Sequence, residues 1–390
     1  MTKTTSRNPW IDYLRSFLTI LVVAHHASLA YTTFAVFDKG TYINSTAPVV
    51  DSVRSISMDI FANFNDIFFM PLMFFISGLF VYNGIIKKGN RRYLIDRFKR
   101  LGIPFLFAVT LVIPFAYIPS YLLANDNTIS IGGFIRDYLF HQQWPVGPPW
   151  FIWLLLVFNV IAVLIPTRYY VKIADSISGI IRKPLIFFLI VFVTLALAFI
   201  PLSLWVGQYK WTGIGPFDFQ LNRLVLYFIF FISGTCLGSC NWENILFNND
   251  KLLSRSWLFW AGTAALCFVM VELFTYYGFS YVRTGTLNIW TAWFIFDFFF
   301  VSSCLTSSLA FLSFFRKKMR SRVKVWTNFS SNAFGIYLLH YVLVTWTQYL
   351  LLKWILPASL KFLIVFMVSL LVSWLIIHLI RRFRIVNQII

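Results

Sequence analysis

The chain has 390 residues, 59% of them hydrophobic and only 12% charged, with a mean hydropathy of +0.75. About a quarter of a soluble domain is charged, so this balance excludes an ordinary soluble domain and points to a polytopic membrane protein. The formal net charge of +19 does not by itself indicate nucleic acid, because basic residues also gather in cytoplasmic loops.

Windows of about twenty apolar residues, the length needed to cross a bilayer, recur over 12–34, 63–86, 101–123, 149–167, 184–206, 221–240, 256–276, 288–312, 329–352 and 359–380. They predict an all-α membrane protein of ten transmembrane helices and one domain over 1–390. The first window is too long, and too deeply interrupted by Arg15, His25 and His26, for a cleaved signal peptide, and is read as a retained helix. Eleven positions on an α-helix return His26 to within ~20° of the Arg15 face, roughly 16 Å further along the axis, whereas His25 falls ~80° away. Asp12 lies three positions before Arg15 and can pair with it on one helix face. Taken singly, Arg15 reads as a snorkelling interfacial cation and His26 as a hydrogen-bonded core imidazole. The joint pattern favours function, because an ionisable group inside a membrane is a functional candidate by default.

In the second window Ser77 sits near mid-depth and Asp66 in the outer half. The pentapeptide Phe-Phe-Ile-Ser-Gly occurs there at 74–78 and again in the sixth window at 230–234, on helices predicted to run in the same direction. Close helix packing on small residues is favoured over a parallel internal repeat. Seven cations, Arg97 and Arg100 among them, fill 87–100. Gly, Pro and Trp crowd 143–150, as in an ordered lid or re-entrant piece. Arg223, Glu272 and Asp297 map to the outer halves of later windows; these and Asp66 are expected to pair or to line a wet cavity, with structural roles favoured for Asp66 and Arg223. His340, about twelve residues from the inner end of the ninth window, shares the depth of His26. The four cysteines lie in apolar stretches and write no disulfide framework; Cys236 and Cys240, four apart, read as packing rather than as metal ligands.

With the N-terminus inside, 24 of the 33 basic residues fall in inner segments and seven in outer ones, Lys361 among the latter. That alternation predicts cytoplasmic termini and accounts for the charge without nucleic acid. The polar groups then form a gradient, with cations at the inner mouth, imidazoles near the middle and carboxylates outside. Coenzyme A, a phosphorylated head on a long narrow arm, fits such a gradient lengthwise. A neutral His at its thioester end could take the proton from an acceptor hydroxyl.

These residues resemble the integral-membrane acyltransferase 3 family. Its Arg-x10-His signature matches Arg15 and His26, and its Phe-Phe-x-Ser-Gly element matches Phe74–Gly78. Its Arg-x-x-Arg-Leu-x-x-Pro element matches Arg97, Arg100, Leu101 and Pro104, and a late Ile-Tyr-Leu-x-His element matches Ile336, Tyr337, Leu338 and His340. The four lie in order over nearly the whole chain. In finer detail, His26-x-Ser28-Leu29-x-Tyr31 and 100–104 look most like glucan-modifying succinyltransferases. Two departures stand out: Pro148-Pro149 precedes Trp150-Phe151, and there is no appended hydrolase-like domain, so a second catalytic step is expected of another protein.

The resemblance implies a multi-pass protein of a bacterial inner membrane that moves an acetyl or succinyl group from acyl-CoA to a hydroxyl of an envelope carbohydrate. His26, Asp12 and His340 are the expected catalytic residues. Arg15, Arg97 and Arg100 are expected to hold the donor phosphates, and Ser77, Glu272 and Asp297 to contact substrate. No tightly bound cofactor or metal is expected; acyl-CoA is a co-substrate. Membrane lipid is the further partner, nucleic acid is not one, and a homo-oligomer stays open. A transporter of an acyl donor or a lipid-linked glycan is the competing reading, but it has no chemical need for the Asp12/Arg15/His26 stripe.

Overall fold

The computed structural model describes residues 9–142, 144–180, 184–240 and 257–383. Gln143 and the expected inner cations Lys3, Arg7, Arg182, Lys183, Lys251, Arg255 and Arg384 lie outside the described residues. In chain order the helices begin with α1 (Pro9–Leu29), α2 (Ile56–Gly78), α3 (Val81–Lys88), α4 (Asn90–Arg97), α5 (Ile103–Phe107) and α6 (Ile113–Ala124). There follow α7 (Ile131–Arg136), α8 (Trp150–Leu164), α9 (Thr167–Ile180), α10 (Pro184–Val206) and α11 (Leu224–Gly238). The last five are α12 (Trp257–Leu273), α13 (Phe279–Arg283), α14 (Ile289–Lys318), α15 (Lys324–Leu351) and α16 (Ala358–Ile380). A two-stranded antiparallel ribbon, β1 (Trp211–Thr212) and β2 (Phe219–Gln220), lies between α10 and α11. Local chemistry sets several of these ends. Pro9 opens α1, where a missing N–H is harmless, and Asn288 caps α14 by accepting from Trp290 N at 2.8 Å. Arg316, Lys317 and Lys318 close α14 at the negative end of its dipole.

Seven helical stretches among the described residues are long and apolar enough to cross a membrane. They are Ile56–Lys88, Asn90–Ala124, Ile186–Val206, Leu221–Gly238, Trp257–Arg283, Ile289–Lys318 and Ala358–Ile380. The pair α8 and α9 makes an eighth candidate, bent by 96° at its break. The ten expected spans are therefore met by seven or eight. Helices occupy the first and ninth windows too, but α1 and α15 are less apolar. Asp12, Arg15 and two histidines dilute α1; amides, hydroxyls and His340 dilute α15. Both are interior helices, with α1 packed among α2, α14, α15 and α16.

Two parallel pairings organise this interior. At one end of α1 the Tyr13 hydroxyl accepts from Val323 N and meets Thr327 Oγ1, each at 3.0 Å. At the other end the Gln348 side chain donates to the His26 carbonyl at 3.1 Å, so α1 and α15 run side by side in one direction. The second pair is α2 and α11. A Cβ on Gly78 would collide with the Phe231 carbonyl oxygen, and one on Gly234 with the Phe75 carbonyl oxygen. Each glycine of the repeated pentapeptide thus packs on the second phenylalanine of the other copy. Further along, Gly238 abuts the Leu79 carbonyl and accepts from Asn83 Nδ2 at 2.8 Å, so these helices are also parallel and in register.

The long connection after α1 folds back over the bundle and is fastened there. Asp51 N donates to the Ala30 carbonyl at 2.9 Å, and Thr33 N to Asp59 Oδ1 at 2.7 Å. Lys361 Nζ bonds Asp51 Oδ2 at 2.6 Å, and both side chains are essentially fully buried. Lys361, counted above as an outer-surface cation, is instead an interior anchor; losing either partner would strand a buried charge.

Candidate active site

Helix α1 delivers the polar stripe that the sequence places on it. Arg15 Nη2 lies 3.2 Å from Asp12 Oδ1, the i, i+3 ion pair expected, with the guanidinium about one-third exposed. At the far end of the helix His26 is surrounded by aromatic rings. Its ring stacks on His340 at 5.3 Å and 24°, and meets Tyr341 edge-on at 5.0 Å and His25 at 5.4 Å. The depth count that paired His26 with His340 therefore gave neighbours across the parallel α1–α15 contact.

His340 Nδ1 lies 2.7 Å from the Tyr337 carbonyl oxygen. A carbonyl only accepts, so Nδ1 carries the hydrogen and the neutral ring keeps its lone pair on Nε2. That Nε2, like His26 Nδ1 and His25 Nδ1, is buried with no hydrogen-bond partner among the described residues.

A cavity of about 480 Å³ opens beside these rings. His25 and His26 both line it, with Tyr337 and Tyr341 from α15, Phe69 and Met70 from α2, and Tyr117 from α6. Val22 and Leu29 of α1 and Trp150 of α8 add to the lining, and the rest comes from connecting pieces: 43–46, 145–148, and Trp211, Asp218 and Gln220 of the ribbon segment. Beside the first piece, burial above all, with Asp137 near, pushes the Tyr42 phenol up and keeps it neutral. Asp66 also faces the cavity. Arg223, 1% exposed, holds it through Nη2–Oδ2 at 2.6 Å and Nη1 to the Asp66 carbonyl at 3.1 Å, and packs over Phe300.

The other expected residues fall elsewhere. Glu272 accepts from Asn63 Nδ2 at 3.0 Å, and Asp297, fully buried, accepts from the Gln208 amide; neither lines the His26 cavity. Ser77 donates back to the Met73 carbonyl at 2.8 Å within its own helix and is likewise off the lining. Arg97 stacks over Tyr93 at 5.0 Å, and the Tyr93 hydroxyl donates to Asn159 on α8. Arg100 is exposed on the turn that follows. This segment packs on α3 and α8, a different neighbourhood from that of Arg15. A second cavity, about 350 Å³, lies among α2, α9, α10, α11, α12 and α14, and among the described residues no ionisable side chain lines it. Among the described residues no group of three or more His, Cys, Asp or Glu is arranged to hold a metal ion.

Sequence reasoning passed over the wall residues Trp211 and Gln220, and set His25 aside. The phase argument set His25 aside, yet a wide cavity admits neighbours 100° apart on one helix. Asp66 and Arg223 were expected to pair or to line a wet cavity, but nothing in the sequence paired them with each other.

The acyltransferase 3 family, described as an acyltransferase domain, matches residues 8–378, and the chain belongs to it. The chain is 25% identical over 239 residues to the glucans biosynthesis protein C of Salmonella paratyphi B, which covers 58% of this chain and 57% of that protein. It is also 25% identical over 235 residues to the protein of the same name from Shigella dysenteriae serotype 1, with the same coverage. The match thus spans less than two thirds of these relatives. No solved structure matches the chain.

Proposed function

We propose that this member of the acyltransferase 3 family transfers an acyl group, acetyl or succinyl, from cytoplasmic acyl-CoA to a hydroxyl of an envelope carbohydrate. It would do so in a bacterial inner membrane, with both termini cytoplasmic. The observation that carries the reading is one helix bearing the Asp12–Arg15 pair at one end and, at the other, an imidazole stacked on His340 in a loop-walled cavity. The glucan named by the relatives suggests the acceptor class. The parallel α1–α15 and α2–α11 pairings agree with the alternation of ten crossings, which requires the first and ninth, and the second and sixth, to run the same way.

In this reading His26 takes the proton of the acceptor hydroxyl as its oxygen attacks the thioester carbonyl. The new C–O bond forms, the C–S bond breaks, and the departing sulfur takes the proton from His26, leaving ester and free coenzyme A. His340 cannot donate through Nε2 while Nδ1–H is held by Tyr337, so it fixes the plane of the His26 ring rather than binding the oxyanion. Asp12 restrains Arg15. Arg15, Arg97 and Arg100 would meet the donor phosphates, since guanidinium forks suit phosphate oxygens. Among the described residues no Lys or Arg lines the cavity, which supports assigning the phosphates elsewhere, to the inner side. Family membership favours this chemistry over a transporter.

The test is acyl transfer by purified protein in detergent, where transport is impossible but transfer is not. His26→Ala should lower kcat by at least about a hundredfold, the usual scale of general acid–base catalysis. His25→Ala should cost less than about tenfold, because its ring borders the cavity without the His340 stack. Equal loss from both would remove His26 from its role.

A further inference from the structure

Helix α2 separates two cavities of opposite character. Its Phe69 and Met70 face the His26 cavity, while Leu72 and Phe75 face the second one, of about 350 Å³. The walls of that second cavity come from one half of the bundle: the later turns of α2, α11 and α14 and the earlier turns of α10 and α12. Among the described residues they offer hydrocarbon, three hydroxyls and one indole. Two of the hydroxyls turn back on their own helices, Thr194 donating to the Ile190 carbonyl at 2.8 Å and Ser308 to the Cys304 carbonyl at 2.7 Å. The indole is that of Trp260, 4% exposed, and its Nε1 is buried with no hydrogen-bond partner among the described residues. Such a lining suits a run of CH₂ groups that carries one carbonyl to accept from the indole.

The cavity lies at the lipid-facing side of the bundle. Its outer wall is α10, fastened to α14 by Phe199 on Phe300, with rings 4.9 Å apart at 12°, and by Phe192 on Phe298 at 5.3 Å. Leu189 and Leu197, on the other side of α10, are exposed. Helix α9 turns 96° from α8, and its Ile173, Ile177 and Ile180 share a face within ~60° and line the cavity. Arg168, Lys172 and Asp175 stand ~100–160° from Ile173, the pattern of a helix lying in a membrane interface. On α14 the lining residues Leu305, Leu309 and Leu312 form one stripe, and Arg316 falls inside the same ~60°, roughly 6 Å beyond Leu312. Trp257 packs on Phe314 at 5.2 Å, which sets the start of α12 beside the end of α14. The Trp260 indole is then the deeper of the two polar groups, and the Arg316 guanidinium stands at the mouth.

We propose that this cavity holds one acyl chain of an anionic phospholipid from the adjoining leaflet. The chain lies between α10 and α14, its ester carbonyl accepts from Trp260 Nε1, and its phosphate meets Arg316. Lipid tails gain nothing hydrophobic by leaving the bilayer, so binding comes from close packing of the chain, the indole bond and the attraction of cation for phosphate. The site lies across α2 from His26, and it stands or falls apart from the acyl-transfer reading.

The experiment places the full chain in phosphatidylcholine vesicles with a trace of phosphatidylglycerol whose acyl chain bears a photoreactive diazirine. After irradiation, mass spectrometry locates the label. It should fall on Leu195 and Leu305, both buried on the cavity wall. Leu309→Trp, which fills the cavity, should lower labelling there by at least about tenfold. Leu266→Trp, an exposed site on α12 away from the lining, should not. Trp260→Phe keeps a ring and removes only the N–H, and should lower labelling by about threefold to fivefold. Arg316→Gln should lower it by about fivefold, the scale of one cation at a lipid surface. A phosphatidylcholine probe of the same chain should label more weakly and ignore Arg316→Gln. Label confined to exposed positions such as Leu189 and Leu266, or indifferent to both Leu309→Trp and Trp260→Phe, overturns the site. Equal labelling by the two headgroups overturns the anionic lipid. Displacement of the label by oleoyl-CoA but not by excess phosphatidylglycerol gives the cavity to an acyl donor and overturns the proposal as well.

Discussion

Arg97 and Arg100 sit three residues apart among seven cations; both match the family element, and the surroundings of Arg97 also separate it from the rest. Arg97 is held over Tyr93, whose hydroxyl is itself bonded to buried Asn159, so the guanidinium starts from a fixed position. Lys88 is already spent on Asp96 at 2.5 Å, and Lys87 is exposed. A phosphate contact from a guanidinium is charge-assisted and worth about 1.5–3 kcal/mol. Arg100→Gln should therefore weaken acyl-CoA binding by roughly tenfold or more, and Lys87→Gln or Lys88→Gln by less than about twofold. Titration of the purified variants with acyl-CoA checks this; equal affinities would make the whole cluster a topology signal alone. At this scale the sequence was informative about depth and poor about azimuth. Counting along a helix placed His340 level with His26, and the two stack. The same counting put Glu272 and Asp297 in the outer half, yet they face Asn63 and Gln208 rather than the cavity, because depth does not say which neighbour a side chain meets.

The α2–α11 crossing shows what the repeated pentapeptide is for. Two copies of Phe-Phe-Ile-Ser-Gly lie parallel and in register, and each glycine admits the other helix's backbone. Without a hydrophobic drive between helices in lipid, such close approach supplies the packing that holds them. Gly78→Ala meets a backbone carbonyl that cannot swing aside, so it should destabilise by about 1–3 kcal/mol, the cost of an overpacked contact. Gly262→Ala on α12, with nothing within 4 Å, should leave stability unchanged or slightly raised. Thermal unfolding in detergent compares the two; an unshifted Gly78→Ala would mean that the helices separate at no cost. Helix positions were legible because apolar runs of bilayer length leave few alternatives. The span count was less so: α1 and α15 are polar for the same reason that they are interesting, and α8, which fills the fourth window, reaches the length of a span only together with α9, beyond that window and bent from it by 96°. The 145–148 wall was legible as an ordered piece but not as a wall of this cavity, and the walls at 43–46 and the ribbon were illegible, since loop pieces far apart in sequence carry no periodicity that would bring them together.

Across the whole molecule the chemistry is distributed along one axis. The Asp12–Arg15 pair marks one end of α1, His25 and His26 the other, and the cavity beyond them is walled by connections rather than by the basic 87–100 segment. The buried Lys361–Asp51 pair and the Thr33–Asp59 bonds hold the long first connection over the bundle, so the cavity mouth has a fixed frame. Among the described residues no Lys or Arg lines the cavity, while the 87–100 segment is rich in cations, and the proposed reading accordingly assigns the donor phosphates to that segment. The central claim is that donor and acceptor reach His26 from opposite faces, so that no free coenzyme A crosses the bilayer. Sealed vesicles of known orientation test it most directly, with labelled acyl-CoA supplied on one face and the carbohydrate on the other. The account predicts labelled product when acyl-CoA is on the face of the 87–100 segment and the acceptor on the opposite face. Product formed only when both are on the same face would contradict it.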